Sequence, residues 1–338
     1  MASAESLPAR TPPAVVHPRR AGTSSWPLAD RIAYWLCWLT GIGLSVIAAW
    51  IVVYMFMKGV TYLSPSLFVE SPAASLQQSQ SGGFRDPLIG TLVLTLIGTL
   101  IAAPLGVAIA AWLSEYGRPA WLARAVESAL EMIAGAPSIV LAIFGVLIFT
   151  QGLFGFLSQE ASNGSVVGQS FLVAGVIMSL IALPLIVGAT REALAQLPDR
   201  LREASWALGK TRATTTRRVL LPAIRPSIAS GIVLGMGRII GDTAIVIILL
   251  GVSLKNEPVG NLPILGTLRG TGSTLTSYVF YNSPAGEGNA HQKAYVAAFV
   301  LMAIVLLLNA LVTSLTRERA ETGDRRARLL GRLAPWTR

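Results

Sequence analysis

The sequence predicts an all-α membrane protein of six transmembrane helices, with both termini on the cytoplasmic side. Three observations predict it. The 338 residues are 53% apolar and only 13% charged, whereas soluble domains carry about 25% charged residues. Six runs reach the length of about 20 residues that a helix needs to cross a hydrocarbon core. Lys and Arg are shared unequally between alternate connections, which sets orientation. Disorder is excluded for most of the chain because disordered segments are poor in apolar residues. Coiled-coil and collagen-like readings fail because the chain is neither rich in charge nor built on a glycine triplet.

Residues 1–33 are rich in Pro, Ser and Ala and predict a disordered tail. The first span, 34–57, follows them. It is not a cleaved signal peptide, since about thirty polar residues precede it and no small-residue cleavage site ends it. Trp35, Trp38, Trp50 and Tyr54 lie toward its ends, as interfacial anchors do. Cys37, the single cysteine, is read as a small apolar-environment side chain, and excludes an internal disulfide or a multi-cysteine metal site. An external loop, 58–86, leads to a five-helix domain, 87–316. Asp86 and Glu115 bound the second run, and Glu131 and Glu160 the third. The fourth is apolar over 166–189, the fifth runs over 224–252, and the sixth over 294–316. Runs this long and continuously apolar are too long for barrel strands. The external segments 58–86 and 254–293, rich in Gly, Ser and Pro, predict irregular structure with short helices. A basic cytoplasmic tail, 317–338, closes the chain.

Of 27 Lys and Arg, 21 fall in residues 1–33, the second-to-third connection, segment 190–226 and the last tail, against 5 on the opposite side. The rich side is cytoplasmic. The net charge of +10 is therefore an orientation signal, with a contact to anionic membrane lipids, rather than a sign of nucleic acid binding.

Segment 190–222 is amphipathic. Leu194, Leu197, Leu201, Ala204 and Leu208 recur at three- and four-residue steps and mark an apolar face. Gly209 is a natural helix C-cap or turn, a second helix can start over 210–216, and Pro222 starts the fifth span. Two short helices joined near Gly209 are expected. The order Glu203-Ala204-Ser205, three residues, Gly209, nine residues, Val219, one residue, Leu221-Pro222 resembles the EAA loop of binding-protein-dependent ABC importer permeases, E-A-A-x3-G-x9-I-x-L-P. Ser205 stands for the second Ala and Val219 for the Ile. The resemblance implies a type I ABC importer permease fold and a hairpin that docks in a separate ATPase subunit, with Glu203, Ala204, Gly209, Leu221 and Pro222 at the coupling surface. A second pattern in the same loop, ASWALGKT over 204–211, comes near the Walker phosphate loop. Its first position is Ala, and no strand precedes it, so it predicts no nucleotide-hydrolysing site in this chain. The chain is thus expected to be no enzyme and to carry no cofactor, with ATP and Mg used by the partner ATPase.

Arg238 and Asp242 stand four residues apart in the fifth span. A charge near the bilayer centre costs about 2.5–3.5 kcal/mol on insertion scales, so both should face the bundle interior. Two readings stay open: an internal ion pair that fixes packing, or Arg238 lining an anion path with Asp242 holding the guanidinium. Gly231, Gly235, Gly237 and Gly241 are expected to serve close packing. Glu127 and Glu131, also four apart, are read as a solvated or interfacial face. His17 and His291 are too far apart to predict a metal or a triad.

Segments 81–96, 103–117, 134–145 and 235–244 resemble the phosphate-specific transport permeases, the Ser-Gly-Gly opening favouring the PstA over the PstC subunit type. That family shows Arg-x-x-Gly-Glu-Thr-Ala-Pro in the fifth span; here Asp242 replaces Glu and Ile245 replaces Pro. The resemblance implies inorganic phosphate as substrate, a PstC-like sister permease, a PstB-like ATPase dimer, a PstS-like phosphate-binding protein, and a bacterial cytoplasmic membrane. A permease for another anion, a PstC-like role, and a secondary transporter or channel remain as alternatives at this stage.

Overall fold

A computed structural model describes residues 27–72, 82–151, 154–158, 167–251, 255–256, 263–284, 290–310 and 314. Of the expected tail 1–33, residues 1–26 lie outside the described residues, whereas 28–33 already belong to the first helix; the expected tail 317–338 lies outside the described residues. Among the described residues the fold is helical, and Pro72 forms an isolated bridge with Gly82. In order the helices are α1 (Leu28–Thr61), α2 (Ser66–Val69), α3 (Arg85–Glu115), α4 (Ala120–Gly135), α5 (Ser138–Phe149), α6 (Phe171–Ala195), α7 (Asp199–Ala207), α8 (Arg212–Thr215), α9 (Leu221–Ala223), α10 (Arg225–Gly241), α11 (Ala244–Leu250), α12 (Pro263–Arg269) and α13 (Leu275–Asn282). A last helix, α14, covers His291–Ala310. Among the described residues four helices are long and apolar enough to cross a membrane, and up to six spans result if each of two bent pairs counts as one.

Residues up to Tyr54 form a unit by themselves. Within it α1 carries no buried residue, and Trp35, Leu39, Leu44 and Trp50 are exposed. Such an apolar surface is stable in lipid and not in water. Cys37 is exposed on it, as a small lipid-facing side chain would be.

In the second unit α6 is the central post. Phe171, Val173, Ala174, Ile177, Met178 and Ile186 are buried along its length. The main core joins them to Leu94 and Ala102 of α3, Ala142 of α5, Ile239 of α10, and Ile245 and Leu249 of α11. Small residues let the backbones approach: a Cβ on Gly175 would strike Ile97, and one on Gly106 would meet Ile186 at 2.8 Å.

At the N-terminal end of α3 a second core forms from Leu67 of α2, Phe84, Leu275 and Tyr278 of α13, and Val296 and Val300 of α14. The described parts of 58–86 and 254–293 thus hold short helices, as expected, and these pack together. Segment 270–274 is not helical, yet every residue in it is buried. Its polar groups find partners: Phe171 N–H donates to Gly270 O, Gly272 N–H to Leu250 O, and Leu275 N–H to Thr91 Oγ1 at 2.8 Å. Gly90 is where this segment passes α3, and a Cβ there would overlap the Ser273 carbonyl oxygen. Gly90→Ala is expected to destabilise the detergent-solubilised protein by about 1–3 kcal/mol; an unchanged melting temperature would contradict the close approach.

Two helix pairs differ from the straight helices that the apolar runs suggest. α4 and α5 are bent by 111° to one another, with α5 in the third run and most of α4 before it. Ala136, before Pro137, is extended at ψ 135, as the residue preceding a proline prefers. Glu127, on α4, pairs with Arg191 of α6, both side chains partly exposed, and Glu131 is exposed, as on the solvated or interfacial face expected. The fifth span opens at Arg225, not at Pro222. Pro222 sits in α9, and the axis turns by 73° before α10, where Pro226 takes the early helical position.

Candidate functional site

The hairpin over 199–223 forms as two short helices about a glycine turn. Pro198 interrupts the apolar face expected over 194–208: Leu194 ends in α6 and is fully buried, while α7 begins at Asp199. α7 ends in a Schellman motif, with Gly209 N–H donating to Trp206 O at 2.8 Å and Lys210 N–H to Ser205 O at 3.1 Å. Gly209 has φ +72, which favours a residue without Cβ. Thr211 caps α8 by accepting from Thr214 N–H. Ser205, the residue that stands for the second Ala, is buried and shares a 2.8 Å hydrogen bond with Thr215. Its hydroxyl thus ties the two arms together.

The exposed surface of this hairpin carries Glu203, Ala204, Trp206, Leu208 and Gly209. Leu208 is 78% exposed, and Arg212 lies 6.0 Å over the Trp206 ring. Leu221 and Pro222 lie elsewhere, half-buried at the root. There Leu221 packs on a small core of Ala193, Leu194, Leu220 and Ile224. The segment ASWALGKT runs from α7 through the turn to the cap of α8. It therefore lacks the strand that a phosphate loop requires.

Sequence reasoning missed the residue that anchors this hairpin. Arg202 donates to Glu115 Oε1 from Nη2 at 2.9 Å and from Nε at 3.2 Å, and to Asp199 at 3.1 Å. It also donates to the carbonyls of Leu194, in the last turn of α6, and of Leu197, just beyond it. Hydrogen bonding to Glu115 raises its pKa above the ordinary guanidinium value. A raised pKa stabilises the fold below the guanidinium range and is lost only above it, so the staple persists through neutral pH. Glu115 is 87 positions away in sequence, and no short-range spacing marks the pair. Arg202→Ala leaves a buried carboxylate unpartnered, a loss of about 3 kcal/mol for such pairs. Faster proteolysis within 199–223 in membrane vesicles is expected; unchanged cleavage would contradict it.

Arg238 and Asp242 are brought together, but not in the middle of a continuous helix. α10 stops at Gly241, Asp242 is extended at ψ 120, and α11 restarts at Ala244. Asp242 Oδ1 accepts from Ile245 N–H at 3.1 Å, and Oδ2 is 3.9 Å from Arg238 Nη2. The Asp242 side chain is 4% exposed and that of Arg238 51%. An ion pair so long and half-open contributes little, so the cap on Ile245 is the firmer hold on the carboxylate. The position where the phosphate permeases carry Pro here supplies the N–H that the shorter acid uses. The glycines divide into two pairs. Gly231 and Gly235 abut Ala189, Ile186 and Ala182 of α6, as close packing requires, whereas a Cβ on Gly237 or Gly241 would meet nothing within 4 Å. Leu234, Arg238 and Gly241 are exposed on that same side. α10 thus packs by one face and presents Arg238 on an open one. Among the described residues no group of His, Cys, Asp and Glu can hold a metal ion.

The phosphate transport system permease protein PstA 2 of Mycobacterium bovis is 29% identical over 330 residues, covering 94% of this chain and 98% of its own. PstA 1 of Mycobacterium tuberculosis is 30% identical over 69% of this chain and 70% of its own, and PstC of Xylella fastidiosa 29% over 67% and 69%. Among solved structures, an alginate ABC transporter chain matches with TM-score 0.58 at 16% identity, covering 86% of this chain and 95% of that one. A methionine ABC transporter in an inward-facing conformation matches with TM-score 0.53 at 20% identity, over 70% and 95%. Residues 102–319 match the binding-protein-dependent transport system inner membrane component, and the chain belongs to that family, the permeases of ABC importers.

Proposed function

We propose that this chain is the PstA-like permease of a bacterial inorganic phosphate importer. Six spans cross the cytoplasmic membrane, with α4–α5 serving as one bent span, α10–α11 as one interrupted span, and both termini cytoplasmic. The five-helix domain 87–316 forms the permease proper; 1–33 and 317–338 are cytoplasmic tails flanking the first span and the domain. The hairpin 199–223 docks on one copy of a PstB-like ATPase dimer, which binds ATP and Mg; this chain hydrolyses nothing. A PstC-like sister permease covers the open face of α10, so that Arg238 meets the anion between the two subunits. A PstS-like protein delivers phosphate to the end of the bundle built from α2, α13 and the start of α3.

The observation that carries this reading is the open face of α10, with a half-exposed guanidinium at a helix break and bare glycine backbone beside it. An anion needs a cation and room, and both are there. Phosphate as the anion rests on the relatives named phosphate transport permeases. Coverage of nearly the whole chain by a PstA relative favours PstA over PstC. Transport proceeds through different contacts in outward- and inward-open states, driven by the ATPase.

The test is purification from membranes with identification of bound subunits, followed by radiolabelled phosphate uptake with sulfate and molybdate as competitors. Recovery of an ATPase and a second permease, with uptake resistant to those competitors, is expected. Sulfate competition would reassign the anion, and phosphate transport by the purified chain alone would overturn the ABC mechanism for it.

A further inference from the structure

The helix break at Asp242 frees the carbonyl of Ile240. In an unbroken helix it would accept from the N–H of residue 244, and Ile240 is buried, with 4% exposure, so water does not replace that partner. The replacement comes from a distant segment: Thr276 Oγ1 donates to Ile240 O at 2.7 Å. Four residues earlier, Gly272 N–H donates to Leu250 O at the far end of α11. Segment 270–276 therefore holds both sides of the discontinuity, one bond at the end of α10 and one at the end of α11. It is itself fixed. Thr91 Oγ1 accepts from Leu275 N–H while donating to Pro87 O, and Thr274 and Ser277 close a reciprocal capping box at the start of α13.

We propose that Thr276 is a positioning residue for anion passage: by bonding Ile240 O it sets the end of α10 and with it the direction of Arg238, two residues earlier. It touches no substrate. The proposal rests on the reading that Arg238 lines the anion path. Valine has nearly the shape of threonine but no donor, so Thr276→Val leaves the Ile240 carbonyl unpartnered and lets the last turn of α10 relax. Serine keeps the donor.

The experiment uses the full complex in proteoliposomes with saturating phosphate-loaded binding protein, and reads phosphate transported per ATP hydrolysed. Thr276→Val is expected to lower that ratio at least fivefold at wild-type levels of assembled complex, and Thr276→Ser to stay within twofold of wild type. Arg238→Ala is run beside them. A wild-type ratio in Thr276→Val, with Arg238→Ala inactive, overturns this proposal alone. Normal transport in Arg238→Ala overturns the path reading on which it rests. A Thr276→Val that fails to assemble, or that loses transport and hydrolysis in equal proportion, assigns Thr276 to stability and overturns the positioning role.

Discussion

Gly209→Pro is expected to stop phosphate uptake while the protein still inserts and assembles its membrane bundle. Gly209 sits at φ +72, and proline is confined near −65°. The substitution also removes the N–H that donates to Trp206 O, and the displaced backbone breaks the bond from Lys210 N–H to Ser205 O. Each bond contributes about 1 kcal/mol, and an L-residue forced into left-handed geometry costs roughly 1–2 kcal/mol more. The sum, about 3 kcal/mol, reduces the docking-competent hairpin about a hundredfold. The bundle should tolerate it, because a Cβ at Gly209 meets nothing within 4 Å and the root of the hairpin has its own core. ATP hydrolysis should no longer respond to loaded binding protein, whereas Gly209→Asn, which adopts the left-handed region more readily, should retain partial activity. Normal coupled uptake by the proline variant would remove the turn from the coupling mechanism.

The second large effect concerns the broken helix. Arg238→Ala is expected to abolish uptake with assembly and basal ATP hydrolysis intact. Arg238 packs against little, so its truncation removes charge and not core; Arg238→Lys, a point charge without the planar fork, should restore part of the rate. Asp242 gives the discriminating pair. Asp242→Asn keeps an oxygen for Ile245 N–H and loses only the negative charge, whereas Asp242→Ala loses both and exposes the start of α11. Removing a helix cap costs about 1 kcal/mol. If Asp242 acts as the counter-charge of Arg238, the two variants lose transport alike. If it acts as the cap, only Asp242→Ala does. Uptake in membrane vesicles, normalised to complex present, separates them.

Much of this was legible in the sequence. Long uncharged runs exposed the spans because lipid imposes one rule on side chains over a known length. The glycine turn was legible because a left-handed C-cap is a local, single-residue demand. Distant partners were not. The Arg202–Glu115 staple and the Thr276–Ile240 bond join residues 87 and 36 positions apart, and no periodicity encodes them. The break after Gly241 also escaped notice, since the apolar run continues through it and no proline follows. The bend before α5 had its signal in Pro137, which the uncharged run concealed. The division of the α10 glycines into packed and open pairs needed the neighbouring helix to be in place.

Helix α3 is pinned at its two ends by different parts of the molecule. Glu115 holds Arg202 of the hairpin, and Thr91 holds the first turn of α13. At about 1.5 Å per residue the 31 residues between Arg85 and Glu115 measure roughly 46 Å. One backbone link of that length is interrupted only at Pro104, which withholds an N–H from the ladder near mid-helix. A shift of the hairpin should therefore reach segment 270–276 along a single helix, with Pro104 as the place where it can flex.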